Sequence, residues 1–227
     1  AKWNQKILTE VAREDLANID ASKDKINMER LKSLSNERQK NAIVFWLNIE
    51  NDIYVPSKLI FQILSSVAEP SSESRSFIIH SDSLNSDIRI IVSSKEIRIL
   101  DQGSLRPLPE NLRVIWDLKK SIKIPSGELS TQESYGKGLD KKYLRDDVII
   151  KARVGGERCK PFGRDKSQKI KNLFQEFEIP DWKRNSIPLI YINDRIAAVG
   201  DLWVCDEFHT NLNESGISIV WNDNVNK

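Results

Sequence analysis

The sequence predicts an α+β protein: an N-terminal helical substrate-binding domain over residues 1–112, with a β-hairpin near 87–100, then a small α+β domain over 113–227 with a short sheet and one main helix. Three observations carry this. Apolar residues recur at helical spacing through the first 69 positions, short β-rich runs bounded by turn residues follow from about position 87, and one strongly amphipathic stripe lies among the later runs.

The first segment reads as a helix because Ile7, Leu8, Val11 and Leu16 sit at helical intervals. Position 1 is Ala and the sole Met is Met28, so the chain is expected to be a fragment whose N-terminal part has been cut away. Leu31 and Leu34, then Ile43, Val44, Trp46 and Leu47, keep the helical rhythm, and Ser35 to Arg38 predicts a helix start before Gln39–Asn48. Ser57 is expected to cap a further helix, Lys58–Ala68, whose apolar face is Leu59, Ile60, Ile63, Leu64 and Val67. The run from Glu69 to Ser74 ends it, since proline cannot continue a helix and serines favour turns.

Two β-rich runs flank Ser93-Ser94-Lys95 and predict the hairpin. Gly103 to Pro109 reads as loop, residues 112–130 as strands, and the stretch from Ser130 to Asp147 as polar and irregular. In the strand over 148–154, Ile150, Ala152 and Val154 are expected to face a core while Lys151 and Arg153 face outward. Ile170, Leu173, Phe174 and Phe177 form a buried helical stripe. Asn193-Asp194 joins two further strands, and a last strand covers 216–221.

At 39% hydrophobic and 30% charged residues, the composition is that of a globular chain without a membrane span or a secretory leader. Cys159 and Cys205 match no metal-ligand spacing and read as free thiols of a reducing compartment, the cytoplasm. His80 and His209 are far apart and belong to no Ser-His-Asp, Cys-His or zinc pattern, so no catalytic residue and no metal ligand is assigned. Trp182, Trp203 and Trp221 read as core or lid residues before base-stacking platforms.

Charge is unevenly placed. Residues 151–190 hold ten basic and five acidic side chains, a local +5, which leaves −3 elsewhere on a chain of net +2. Within it, two glycines precede a basic cluster. A nucleotide P-loop needs G-x-x-x-x-G-K-[ST], whereas Gly156 to Gly163 has the wrong spacing and Arg164-Asp165 follows. Two readings remain for Arg158, Lys160, Arg164, Lys166, Lys169 and Arg184, with Lys171 of second rank. One is a phosphate-contacting nucleic-acid surface at a helix start; the other is a solvated loop.

The ordered set Gly156-Glu157-Arg158, Pro161-x-Gly163-Arg164, Leu173-Phe174-Gln175-Glu176, Ile179-Pro180-x-Trp182-x-Arg184, Pro188-Leu189-Ile190 and Ala198-Val199-Gly200-x-Leu202-Trp203-Val204 resembles the C-terminal domain of bacterial tRNA(Ile)-lysidine synthases. Upstream, Arg38-Gln39, Trp46-Leu47 and Pro56-Ser57 resemble that family's helical substrate-binding domain. The resemblance implies a cytoplasmic enzyme that uses ATP, with magnesium, to join lysine to the wobble cytidine of an isoleucine tRNA with a CAU anticodon. The family's PP-loop motif, Ser-Gly-Gly-x-Asp-Ser, does not occur here. The resemblance therefore implies a C-terminal portion with no cofactor and no catalytic residue of its own, which grips the tRNA, especially its acceptor stem, beside a missing catalytic domain. The alternative is an interaction module that packs on that domain or forms a homodimer through Trp3, Ile7 and Val11 without touching RNA.

Overall fold

The computed structural model describes residues 2–69, 74–81, 86–101 and 106–223. The breaker run at 70–73 and the 103–105 part of the expected loop lie outside the described residues. The chain divides into two compact units, Ala1–Gln102 and Gly103–Lys227.

The first unit contains α1 (Lys2–Asn18), β1 (Lys25–Asn27), α2 (Met28–Lys32), α3 (Asn36–Phe45) and α4 (Ser57–Ala68), then β2 (Arg75–Ser81), β3 (Ser86–Val92) and β4 (Glu96–Asp101). Asn27 and Ser35 cap α2 and α3 by accepting the backbone N–H groups of Arg30 and Arg38. A π-helical turn, Trp46–Glu50, continues α3. Helix α4 starts behind Pro56, with no side-chain cap, so Ser57 is its first residue and not its cap. The expected face is correct: Ile60, Ile63 and Val67 are buried, with Leu59 and Leu64 packed beside them.

This unit is not purely helical. The predicted hairpin, β3 with β4, forms the middle of a four-stranded antiparallel sheet of order β1-β4-β3-β2. Strand β1 has only three residues, with Ile26 alone buried, too short for its alternation to show in the sequence. The sheet's Ile88, Ile90 and Ile97 share one core with Leu16, Leu31, Ile43 and Trp46 from the helices.

The second unit comprises β5 (Arg113–Ile115), β6 (Ile122–Ile124), β7 (Gly127–Tyr135), β8 (Leu139–Asp140), β9 (Val148–Lys151), β10 (Arg158–Cys159), β11 (Gln168–Lys169), α5 (Ile170–Glu176), α6 (Asp181–Arg184), β12 (Leu189–Ile192), β13 (Arg195–Val199), β14 (Trp203–Val204) and β15 (Ser215–Asn222). It holds a five-stranded sheet of order β14-β13-β12-β9-β5, a four-stranded sheet of order β6-β7-β15-β8, and the two-stranded β10–β11 hairpin. The α+β class holds, but where one short sheet was expected the described residues form a five-stranded and a four-stranded sheet beside the two-stranded hairpin. The polar 130–147 segment is largely regular: β7 pairs with β15 from Glu128 to Tyr135 despite its serines and glutamates, and β8 adds Leu139 and Asp140 on the other side of β15.

Leu108 and Leu112 pack in the second unit's core, and the Leu108 N–H donates to the Asn185 carbonyl at 2.9 Å. That is why the division falls at Gln102–Gly103 and not near 112. Asn193 and Asp194 both adopt left-handed φ angles (49° and 60°), the geometry a two-residue hairpin turn requires.

Two side chains depart from the expected pattern. Val154 is 70% exposed, because β9 ends at Lys151 and the backbone turns through left-handed Gly155 and Gly156. Phe177 is 46% exposed, because α5 stops at Glu176 and Glu178 takes a left-handed φ; Ile170, Leu173 and Phe174 are buried as expected.

Candidate nucleic-acid interface

The basic cluster is built on a pinned hairpin. In it Arg158 stands opposite Lys169 and Cys159 opposite Gln168. Its entry is set by Glu157, whose carboxylate accepts the N–H groups of Val154 and Gly155, the latter at 2.8 Å. The turn's amides thus already hold an internal anion. With the P-loop pattern also missing, the Gly155–Gly156 turn does not fit the phosphates of ATP.

On the far side the hairpin lies against β14. Pro161 bridges Cys205, the Phe162 N–H donates to the Val204 carbonyl at 3.0 Å, and the Asp206 N–H donates to the Lys160 carbonyl at 2.7 Å. This apposition brings Cys159 and Cys205 to a Cα separation of 5.9 Å, within bridging range, and the structure joins them in a disulfide. The expectation of two free thiols is therefore corrected. The two cysteines are 46 residues apart, and only tertiary pairing makes them neighbours.

The predicted cations fall into three groups. Lys166, Lys169 and Lys171 are exposed and make no ion pair among the described residues. Lys160 pairs with Asp206 at 2.8 Å, and Arg164 pairs with Glu176 while its guanidinium lies 5.6 Å from the Phe177 ring centre. Arg158 and Arg184 donate to the backbone carbonyls of Ser167 and Ile179. The hairpin and the start of α5 thus bring together all the predicted residues except Arg184, which sits on α6. Helix α5 has seven residues and no side-chain cap at its start, so the cluster's positive character comes from side chains, with little from a helix dipole.

The pairing also sets local proton affinities. The hydrogen bond from Lys160 holds the Asp206 carboxyl below its ordinary value. Burial pushes the Asp201 carboxyl up, helped by the nearby Asp223 carboxylate. Among the described residues, no group of three or more His, Cys, Asp or Glu could hold a metal, and no helix is long and apolar enough to cross a membrane.

Sequence reasoning missed the surroundings of Phe162 at the hairpin tip. Its ring stacks on His209, centroids 3.6 Å apart and planes within 6°. These two rings come from segments 47 positions apart, and no local pattern announces them.

Residues 148–221 match the family described as the TilS substrate C-terminal domain. The chain is similar to the tRNA(Ile)-lysidine synthase of Legionella pneumophila strain Lens, 32% identical over 98% of this chain and 49% of that protein. It is also similar to the tRNA(Ile)-lysidine synthase of Coxiella burnetii, 27% identical over 96% of this chain and 46% of that protein. The chain spans about half the length of the curated relatives it matches. A solved structure described as a crystal structure of the TILS C-terminal domain aligns with a TM-score of 0.39 at 17% identity, covering 49% of this chain and 97% of that one.

Proposed function

Since the chain belongs to the tRNA(Ile)-lysidine synthase family, we propose that it is the part of such an enzyme that grips isoleucine tRNA with a CAU anticodon, through the acceptor stem. The observation that supports this is the disulfide-pinned hairpin, with Lys166, Lys169 and Lys171 exposed and unpaired among the described residues. An unpaired lysine binds a phosphate without first losing a partner, whereas Lys160 and Arg164 must exchange a carboxylate for it. Within the candidate set, Lys166, Lys169 and the second-ranked Lys171 are therefore the leading phosphate contacts.

The ATP-dependent ligation of lysine to the wobble cytidine is assigned to the family's PP-loop domain, and no residue of this chain takes part in it. The chain's role is positional: it fixes the body of the tRNA so that the anticodon reaches the reacting groups. Recognition of a folded RNA then rests on backbone, shape and 2′-hydroxyl contacts more than on base edges.

The test is binding of the chain to an isoleucine tRNA transcript across a salt series, beside an acceptor-stem minihelix. Affinity that falls steeply with salt for both RNAs supports the reading; failure to bind at low salt sinks it.

A second reading has its own observation. On one side of α1, Trp3 and Ile7 are 74% and 45% exposed, four residues apart and so on the same helical stripe. This apolar stripe suits packing against another protein surface. Sedimentation of the chain, with Trp3→Ala and Ile7→Ala as controls, separates self-association from RNA binding.

A further inference from the structure

A pocket of about 300 Å³ opens beside the hairpin tip, lined by Lys137, Phe162, Asp201, Trp203, His209 and Ser218 among others. That volume lies at the small end of ligand sites, enough for one planar heterocycle and too little for a dinucleotide.

Its walls are flat and held in place. Phe162 and His209 are stacked nearly parallel, and Trp203 is packed against Phe174 and Phe177, with ring centroids 5.8 Å and 5.2 Å away. Phe162 is also fixed through its backbone, by its N–H on the Val204 carbonyl and by the adjacent Pro161–Cys205 bridge.

The polar groups are mixed in kind. His209 Nδ1 is 2.6 Å from the Thr210 carbonyl, an oxygen that only accepts, so Nδ1 donates there and Nε2 is the ring's remaining polar atom. The Asp201 carboxylate accepts, the Ser218 hydroxyl both donates and accepts, and Lys137 only donates. This combination suits the edge of a nucleobase, which alternates donors and acceptors, better than it suits a bare anion. The pocket is also continuous with the basic hairpin, because Phe162 lies between Lys160 and Arg164 in one loop.

We propose that this pocket takes one unstacked nucleobase of the bound RNA, held against the Phe162–His209 wall while the adjoining phosphates lie on the hairpin lysines. The proposal rests on the tRNA-gripping reading for its ligand and adds a recognition subsite to it.

The test uses the whole chain labelled with ¹⁵N, reading the indole N–H of Trp203 (assigned with Trp203→Phe) and the His209 ring. CMP and AMP are the probes, with ribose 5-phosphate and inorganic phosphate as controls. The nucleotides should shift both signals and the two controls should leave them in place. Ser218→Phe, which fills the pocket, should abolish the shifts. Asp201→Asn, a change of charge with almost no change of volume, should weaken them in a chain whose spectrum shows an intact fold. With the tRNA transcript, Ser218→Phe should lower affinity about tenfold and leave the salt slope unchanged, because stacking is not an ionic contact.

Signals that ignore CMP and AMP, or that move equally with inorganic phosphate, would overturn the proposal. If the nucleotides bind the pocket while Lys166→Ala, Lys169→Ala and Lys171→Ala together leave tRNA binding untouched, the grip on tRNA by the hairpin fails and the base pocket stands.

Discussion

In the first unit the Asp15 side chain is completely buried and receives two N–H donors from Arg38, whereas in the second unit Arg164 and Glu176 meet in the open, each about 40% exposed. The first pair holds helices α1 and α3 together, and the hydrogen bonds and charge of Asp15 raise the proton affinity of the Arg38 guanidinium. The second pair spans a hairpin that water reaches from outside. An arginine–carboxylate pair thus fixes a fold in one place and tunes a surface in the other, and the difference lies in solvent access to the carboxylate.

The largest expected effect comes from breaking the pair whose carboxylate is buried. Arg38→Ala leaves the buried Asp15 carboxylate uncompensated and should lower first-unit stability more than Asp206→Asn or Arg164→Ala lowers that of the second. Urea unfolding measures this. A cost under about 1 kcal/mol would put the two ion pairs in one class and erase the contrast.

Next in size is the hairpin. Replacing Lys166, Lys169 and Lys171 together by alanine should reduce the slope of log affinity against log salt by about two to three, with thermal stability nearly unchanged. An unaltered slope would make these lysines a solvated surface, the other reading of the sequence.

A third prediction sets Asp201 against Asp206, five positions apart. Burial raises the folded-state value of Asp201 above its unfolded one, so the folded chain holds that proton more tightly. Asp201 therefore costs stability at neutral pH, and the cost is relieved as pH falls through the raised folded value towards 3.8. Asp206 is lowered by Lys160; its contribution is present above 3.8 and is lost as pH falls through the lower folded value. Hence Asp201→Asn should raise the melting temperature slightly at pH 7 and have no effect at pH 3, whereas Asp206→Asn should lower it slightly at pH 7. Thermal melts at the two pH values decide, and equal signs at pH 7 would refute the assignment.

The smallest effect is expected from Arg164→Ala. The exposed pair with Glu176 contributes under about 1 kcal/mol to stability, and the salt slope should change by less than a full phosphate contact because the arginine already has a carboxylate partner. A loss as large as that from any one of the lysines would show that the pair opens fully on RNA.

The second unit was the more legible in the sequence. The β-rich runs of β9 and β12, the Asn193-Asp194 turn and the α5 stripe each follow from a local rule, and they stand where those rules put them. The rules failed at element ends, where Val154 and Phe177 continue a pattern that the backbone has already left. They also failed where pairing is tertiary. Strand β1 exists because β4 offers it an edge, and polar β7 exists because β15 runs beside it. For the candidate site, residue types located the basic cluster but could not sort its members. Which cations are neutralised depends on Asp206 and Glu176, the first of them 46 residues from its partner. The disulfide and the Phe162–His209 wall depend on contacts of the same range, so no window of sequence contains them.

The most direct measurement is the salt dependence of binding between the whole chain and the CAU-anticodon isoleucine tRNA transcript, with and without the three lysine substitutions. The account predicts tight, salt-sensitive binding whose slope flattens by about two to three in the substituted chain. Binding that is absent at low salt, or equally steep in both chains, would contradict it.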